Sequence, residues 1–178
     1  MTASEITDDS LADIQPSLDK HVIVRLALMQ DMLIARALNL ATRFKDERSQ
    51  LQTAAIKKLP AGTKLPASTF ASISLDARYH KGSLEIRWKK VSRRSRHAKS
   101  IFHDLRRNAR AEYSAFELCR VAQEWEQDLV LSYEQRARLI RKRWSLVCKC
   151  LAVAKQLKRT IESDVIGQPI ERLPGRPS

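Results

Sequence analysis

Glycine is scarce in this chain, with four in 178 residues. So few leave little material for tight catalytic loops, and there is no glycine-rich phosphate cradle, His-Glu-x-x-His, Cys-x-x-Cys or nucleophile elbow. Carboxylate pairs such as Glu124 and Asp128 share a helix face, but their neighbours read as solvated surface. The clustered His, Asp or Tyr that a metal-dependent nuclease or a relaxase needs is missing too. The sequence therefore predicts a protein that is not an enzyme and calls for no cofactor or metal. The three cysteines are an odd number, which argues for a reducing, cytoplasmic setting rather than a disulfide framework. Cys148 and Cys150, two apart on an expected helix, point about 200° apart and cannot share a metal. His97 and His103 lie six apart with no third ligand nearby. No apolar run reaches the roughly 18 residues of a membrane span, and the acidic start lacks the basic opening of a secretory signal.

Positive charge, by contrast, is abundant and concentrated. The net charge is +13 and the pI about 10.1, which fits a polyanion as partner. Residues 87–110 alone hold ten Lys and Arg against one acid, Asp104, a net +9. Clustered guanidinium and ammonium groups are the footprint of phosphate binding, arginine in particular matching phosphate oxygens in a bidentate way. The candidate phosphate contacts are Lys89, Lys90, Arg93, Arg94, Arg96, Lys99, Arg106, Arg107 and Arg110. The bland alternative is a solubilising basic loop, since many charge runs are no more than that. A membrane-surface role fits less well, because the apolar residues here form no broad face.

Just before this segment the pattern is that of a β-hairpin. From Ile73 to Tyr79 the odd positions are apolar (Ala77 among them) and the even ones polar; after Lys81-Gly82, Leu84, Ile86 and Trp88 resume the apolar phase. With Lys81 and Gly82 as a two-residue loop, Tyr79 faces Leu84, Ala77 faces Ile86 and Leu75 faces Trp88. On the other face Arg78 meets Glu85 and Asp76 meets Arg87. Such pairs contribute roughly 0.2–1 kcal/mol each, and a slip of one residue would turn every side chain to the wrong face. Ile73 opposite Lys90 breaks the pattern, so the ladder should end or bulge there.

Two helical patterns flank the hairpin. The first opens at Pro16-Ser17, with Ser17 as N-cap, and carries Leu18, Val22, Leu26, Met29, Leu33, Ala37, Leu40 and Phe44 in an amphipathic stripe to about Leu59. The second opens at the capping-box sequence Ser114-Ala-Phe-Glu117 and runs for nearly fifty residues through Leu118, Trp125, Leu129, Tyr133, Ile140, Val147 and Ile161. Its acids gather early and its bases late, which suits the helix dipole. Even so, Arg136, Arg138, Arg141, Lys142 and Arg143 exceed what one helix needs and are candidates to extend the phosphate surface. Between hairpin and second helix, Ala98, Ile101, Phe102, Leu105 and Ala109 have helical spacing, with an irregular basic lead-in as the alternative. The predicted class is mainly α with a small β-hairpin (α+β): two long antiparallel helices flanking an inserted antiparallel hairpin and basic segment. The organisation is an acidic, unstructured leader over 1–16, one domain over 17–163 with the hairpin at about 72–91 and the basic segment at 87–110, and an unstructured tail over 164–178. The paired stripes also invite dimerisation, and the sequence does not decide between monomer and homodimer.

A family resemblance joins these pieces. The order Leu84-Glu-Ile-Arg-Trp88, then Leu105-Arg-Arg-Asn-Ala-Arg-Ala-Glu-Tyr113, then Glu124-Trp-Glu-Gln-Asp-Leu-Val130, Glu134 and Ile140-Arg-Lys142 resembles the MobI family, auxiliary mobilisation proteins of conjugative plasmids and integrative conjugative elements. The resemblance covers roughly residues 72–145. It implies a role at an origin of transfer, helping a relaxase to initiate DNA transfer, and it brings no catalytic residues. Three functions thus stand side by side. The first is a DNA-binding accessory protein with duplex DNA, and a relaxase or other transfer proteins, as partners. The second is an RNA-binding protein, which would need exposed stacking aromatics where Trp88 and Tyr79 fall on the inward face. The third is a helical protein–protein adaptor with an incidental basic strip.

Overall fold

The turn Lys81-Gly82 has both residues at positive φ, 49° and 77°. That is the type I′ geometry whose twist matches the flanking strands, and glycine takes the second position without strain. It joins β1 (Ile73–His80) to β2 (Ser83–Ser92) in the register the alternation predicts, with Leu75 opposite Trp88, Ala77 opposite Ile86 and Tyr79 opposite Leu84. The computed structural model describes residues 18–92, 100–108 and 112–167. The acidic leader, Ser17 and the tail from 168 lie outside them.

The ladder ends at Ile73, where β1 begins, but without a bulge: Ile73 pairs with Lys90, and the Val91 N–H donates to the Ser72 carbonyl at 2.8 Å. Beyond it the sheet differs from expectation. Ile101–Asp104 form a third strand, β3, antiparallel to β2 with Ser92 opposite Ile101 and Lys89 opposite Asp104, in the order β1-β2-β3. The helical spacing across Ala98–Ala109 does not yield a helix in its described part. The free edge of β2 offers unpaired N–H and C=O groups, and satisfying them outweighs a short apolar stripe.

Two long helices carry the rest. α1 is Val24–Lys57, preceded by a π-helical turn at Leu18–Ile23. The second pattern is broken in two. Ser114 stands at the N-cap position of only a short helix, α2 (Ala115–Val121), and its side chain makes no capping hydrogen bond; Ala122 and Gln123 are extended, and a 3₁₀ turn at Glu124–Glu126, where Gln123 and Glu126 form the capping box, leads into α3 (Gln127–Gly167). α3 thus starts later than the capping-box sequence at Ser114 implied, and runs past residue 163. The break has a cause in Glu126, which is fully buried. Its Oε1 accepts the N–H groups of Ser72 (3.0 Å) and Gln123 (2.9 Å), with the Ser72 hydroxyl at 2.6 Å. Glu126→Ala takes the acceptor from two part-buried backbone N–H groups and leaves the Ser72 hydroxyl only the Val121 carbonyl at 2.6 Å; hydrogen bonds to a charged acceptor contribute about 1.5–3 kcal/mol each. We expect that variant to lose about 3 kcal/mol in denaturant unfolding; a loss below about 1 kcal/mol would contradict this account of the break.

The described chain forms two compact units. One is Asp31–Ser145. Its core packs the inner face of the hairpin (Leu75, Ile86, Trp88) on Phe44 of α1 and Tyr133 of α3. Phe44 meets Trp88 edge-on at 5.0 Å between ring centres and Tyr133 at 5.3 Å. Trp88 donates its indole N–H to the Glu134 carboxylate at 2.7 Å and its backbone N–H to the Tyr113 hydroxyl at 3.2 Å. Burial, and secondarily the Glu47 carboxylate, pushes the Tyr133 hydroxyl up to about 12. The other unit joins the described residues up to Gln30 with those from Leu146 onward. In it the Gln30 amide donates to the Cys148 sulfur at 3.2 Å, and Val147, Leu151, Ala154 and Ile161 are buried.

Candidate nucleic-acid interface

The outer face of the sheet is built from the even residues of β1 and the odd residues of β2, so it carries Asp76, Arg78, Glu85, Arg87 and Lys89 side by side. Their charges largely cancel. Arg78 binds Glu85, Arg87 binds both Glu85 and Asp104 at 2.9 Å, and Lys89 binds Asp76 at 2.7 Å. Arg87 therefore does not take its cross-strand partner Asp76 as the pairing predicted. The unforeseen β3 supplies Asp104 instead, and Asp76 turns to Lys89. The Arg78 hydrogen bond, aided by Arg87, holds the Glu85 carboxyl below its usual value of 4.5, and Asp104 holds the Arg87 guanidinium above its own. A lowered carboxyl pKa contributes stability that is fully present above the ordinary value and lost as pH falls through the lowered one. Replacing Arg78 with alanine should bring the Glu85 titration, followed by carboxyl NMR shifts, part of the way back up. An unmoved midpoint would show that Arg78 is not its main support.

The candidate cations divide into three groups. Arg93, Arg94, Arg96, Lys99 and Arg110 lie outside the described residues. Lys89 and Arg107 are already engaged: Lys89 by Asp76, and Arg107 by the Ile86 carbonyl (2.8 Å) and the Tyr113 hydroxyl (3.4 Å), with its guanidinium 5.5 Å from the centre of the Tyr113 ring. Arg107 thus fastens the start of the Leu105–Asn108 segment to β2, assisted by the Leu105 N–H, which donates to the Trp88 carbonyl at 2.9 Å. Lys90 and Arg106 are exposed and, among the described residues, have no charged partner. Arg106 borders a cleft of about 250 Å³ with Arg120, Glu117 and Tyr113.

The proposed extension on α3 is divided in the same way. Glu112 takes Arg138 at 2.8 Å and Lys142 at 3.6 Å, Glu134 takes Arg141, and the Arg141 guanidinium also lies 5.4 Å from the Tyr113 ring centre. Arg143 is exposed with no partner among the described residues. Arg136 sits over Tyr133 at 5.0 Å. Sequence reading missed Glu112, Tyr113 and Glu134 as the groups that hold these cations. Their only signal was being an acid or a phenol beside a basic run, and the contacts that give them their roles are remote in sequence. Among the described residues no group of three or more His, Cys, Asp or Glu could hold a metal ion, and no helix is long and apolar enough to cross a membrane.

Comparison with known proteins gives one family. The family model described as MobI protein matches residues 33–154, and so takes in most of α1 as well as the 72–145 stretch whose motifs carried the resemblance. No curated protein and no solved structure matches the chain.

Proposed function

Because the chain belongs to the MobI family, a family of accessory mobilisation proteins whose model spans more than half of it, we propose that it binds DNA at an origin of transfer and helps a relaxase to begin mobilisation. The observation that carries this reading is the net +9 of residues 87–110 against +13 for the whole chain. Within that segment the sheet neutralises its own charges, and β2 and β3, with the Arg107–Tyr113 contact beyond β3, anchor the stretches that flank residues 93–99. It is suited to presenting the basic strip to phosphates. Phosphate contacts position a protein without reading sequence, so specificity falls to DNA shape or to a few base contacts. An RNA-stacking role finds little support in Trp88, which is fully buried, or in Tyr79, which is half exposed but packs edge-on against Trp144 at 6.0 Å. The test is competition: a labelled duplex from the origin of transfer of the element encoding this protein, challenged with scrambled duplex and with RNA. Resistance to scrambled competitor is expected, and equal displacement by all three competitors would refute origin recognition.

One observation favours a second reading, a helical adaptor. In the unit formed by the chain ends, Val24 and Leu28 on α1 and Leu146, Val153 and Leu157 on α3 are exposed, Val153 at 66%. A protein partner or a second copy would cover such residues, which is compatible with a role beside a relaxase.

A further inference from the structure

Away from the basic segment, α1 and α3 enclose an open groove of about 550 Å³ within the Asp31–Ser145 unit. Leu40 and Ile140 give it apolar walls, and Arg36, Asn39, Arg43 and Arg136 give it polar ones. Arg36, Asn39 and Arg43 follow one another at steps of three and four, so they stack along a single face of α1. Arg136 reaches the groove from α3, its guanidinium placed over the ring of the buried Tyr133 at 5.0 Å. No acid lines the groove. Arg43 pairs with Glu47, one turn along α1, at 3.7 Å in an exposed pair that an incoming anion can displace. Arg36 has no partner among the described residues.

Three guanidinium groups and an amide around an open groove select a ligand with many anionic oxygens spaced along a line. Arg136 lies two residues from both Glu134 and Arg138, about 200° round the helix from each. The groove is therefore a different surface from the cluster in which Glu112 and Glu134 hold Arg138, Arg141 and Lys142. We propose that it is a second nucleic-acid site, seating a phosphodiester backbone between Arg36, Arg43 and Arg136. The protein then grips nucleic acid at two places, the basic strip and this groove. The proposal rests on the nucleic-acid reading above, and its test separates the two.

The test measures binding of a labelled mixed-sequence duplex across a salt series. Each phosphate contact to duplex contributes about 0.9 to the slope of log affinity against log salt. Arg36→Gln/Arg43→Gln/Arg136→Gln should make the slope shallower by about two to three and weaken binding at least tenfold at low salt, whereas the triple lysine variant should keep most of the slope. If the glutamine triple does not fold, Arg36→Gln alone decides, with a slope shallower by about one. A folded glutamine variant with wild-type slope and affinity overturns the groove but leaves the basic strip intact. A wild-type protein that does not bind at all overturns both.

Discussion

Replacing Arg93, Arg94 and Arg96 together with alanine should abolish measurable duplex binding at moderate salt while the protein stays folded. Losing three phosphate contacts lowers affinity by about five-hundredfold at about 0.1 M salt, because counterion release contributes close to one factor of ten per contact there. The described core draws on α1, β1, β2, α2 and α3, none of which includes these residues, so circular dichroism of the variant should match wild type. A folded triple variant that binds as well as wild type would remove the basic strip from the interface.

The largest stability effect is expected at Trp88. Its side chain is completely buried, stands edge-on to Phe44 at 5.0 Å and donates to Glu134 at 2.7 Å. Trp88→Ala removes an aromatic core residue, for which losses of about 3–5 kcal/mol are usual, and leaves the Glu134 carboxylate short of a donor. Against a typical total stability of about 5–15 kcal/mol this is a large fraction of the margin. We expect the alanine variant to lose cooperative unfolding at ambient temperature. Trp88→Phe, which keeps an aromatic ring, though a smaller one, but not the N–H, should lose roughly half as much. An alanine variant that unfolds within about 1 kcal/mol of wild type would show that this contact is not the centre of the core.

Much of this architecture could be read from sequence, and the misses share a cause. The hairpin register was legible because alternation on both arms leaves a single pairing that buries Leu75, Ile86 and Trp88 together. β3 was not, because four residues carry too little pattern and Ile101, Phe102 and Leu105 happen to have helical spacing; the strand exists because β2 has an edge to fill. The break before α3 was hidden because Leu118, Ala122, Trp125 and Leu129 keep helical phase across it. What interrupts the helix is Glu126 turning in to bind Ser72, 54 residues away in sequence. The cations behaved alike. Their number and clustering were plain, but which ones are already engaged depends on Arg107 meeting the Ile86 carbonyl, Arg138 meeting Glu112 and Arg141 meeting Glu134. Arg36 and Arg43 showed their seven-residue spacing openly, yet without Arg136 opposite them nothing marked them as a site.

The most direct test of DNA binding by the basic surface is the affinity of the wild-type protein for duplex, single-stranded DNA and RNA measured across one salt series. A steep negative slope is expected on duplex, corresponding to on the order of four or more phosphate contacts, with duplex bound more tightly than RNA. Little binding to any of the three at low salt would contradict it and leave the helical adaptor as the reading to pursue.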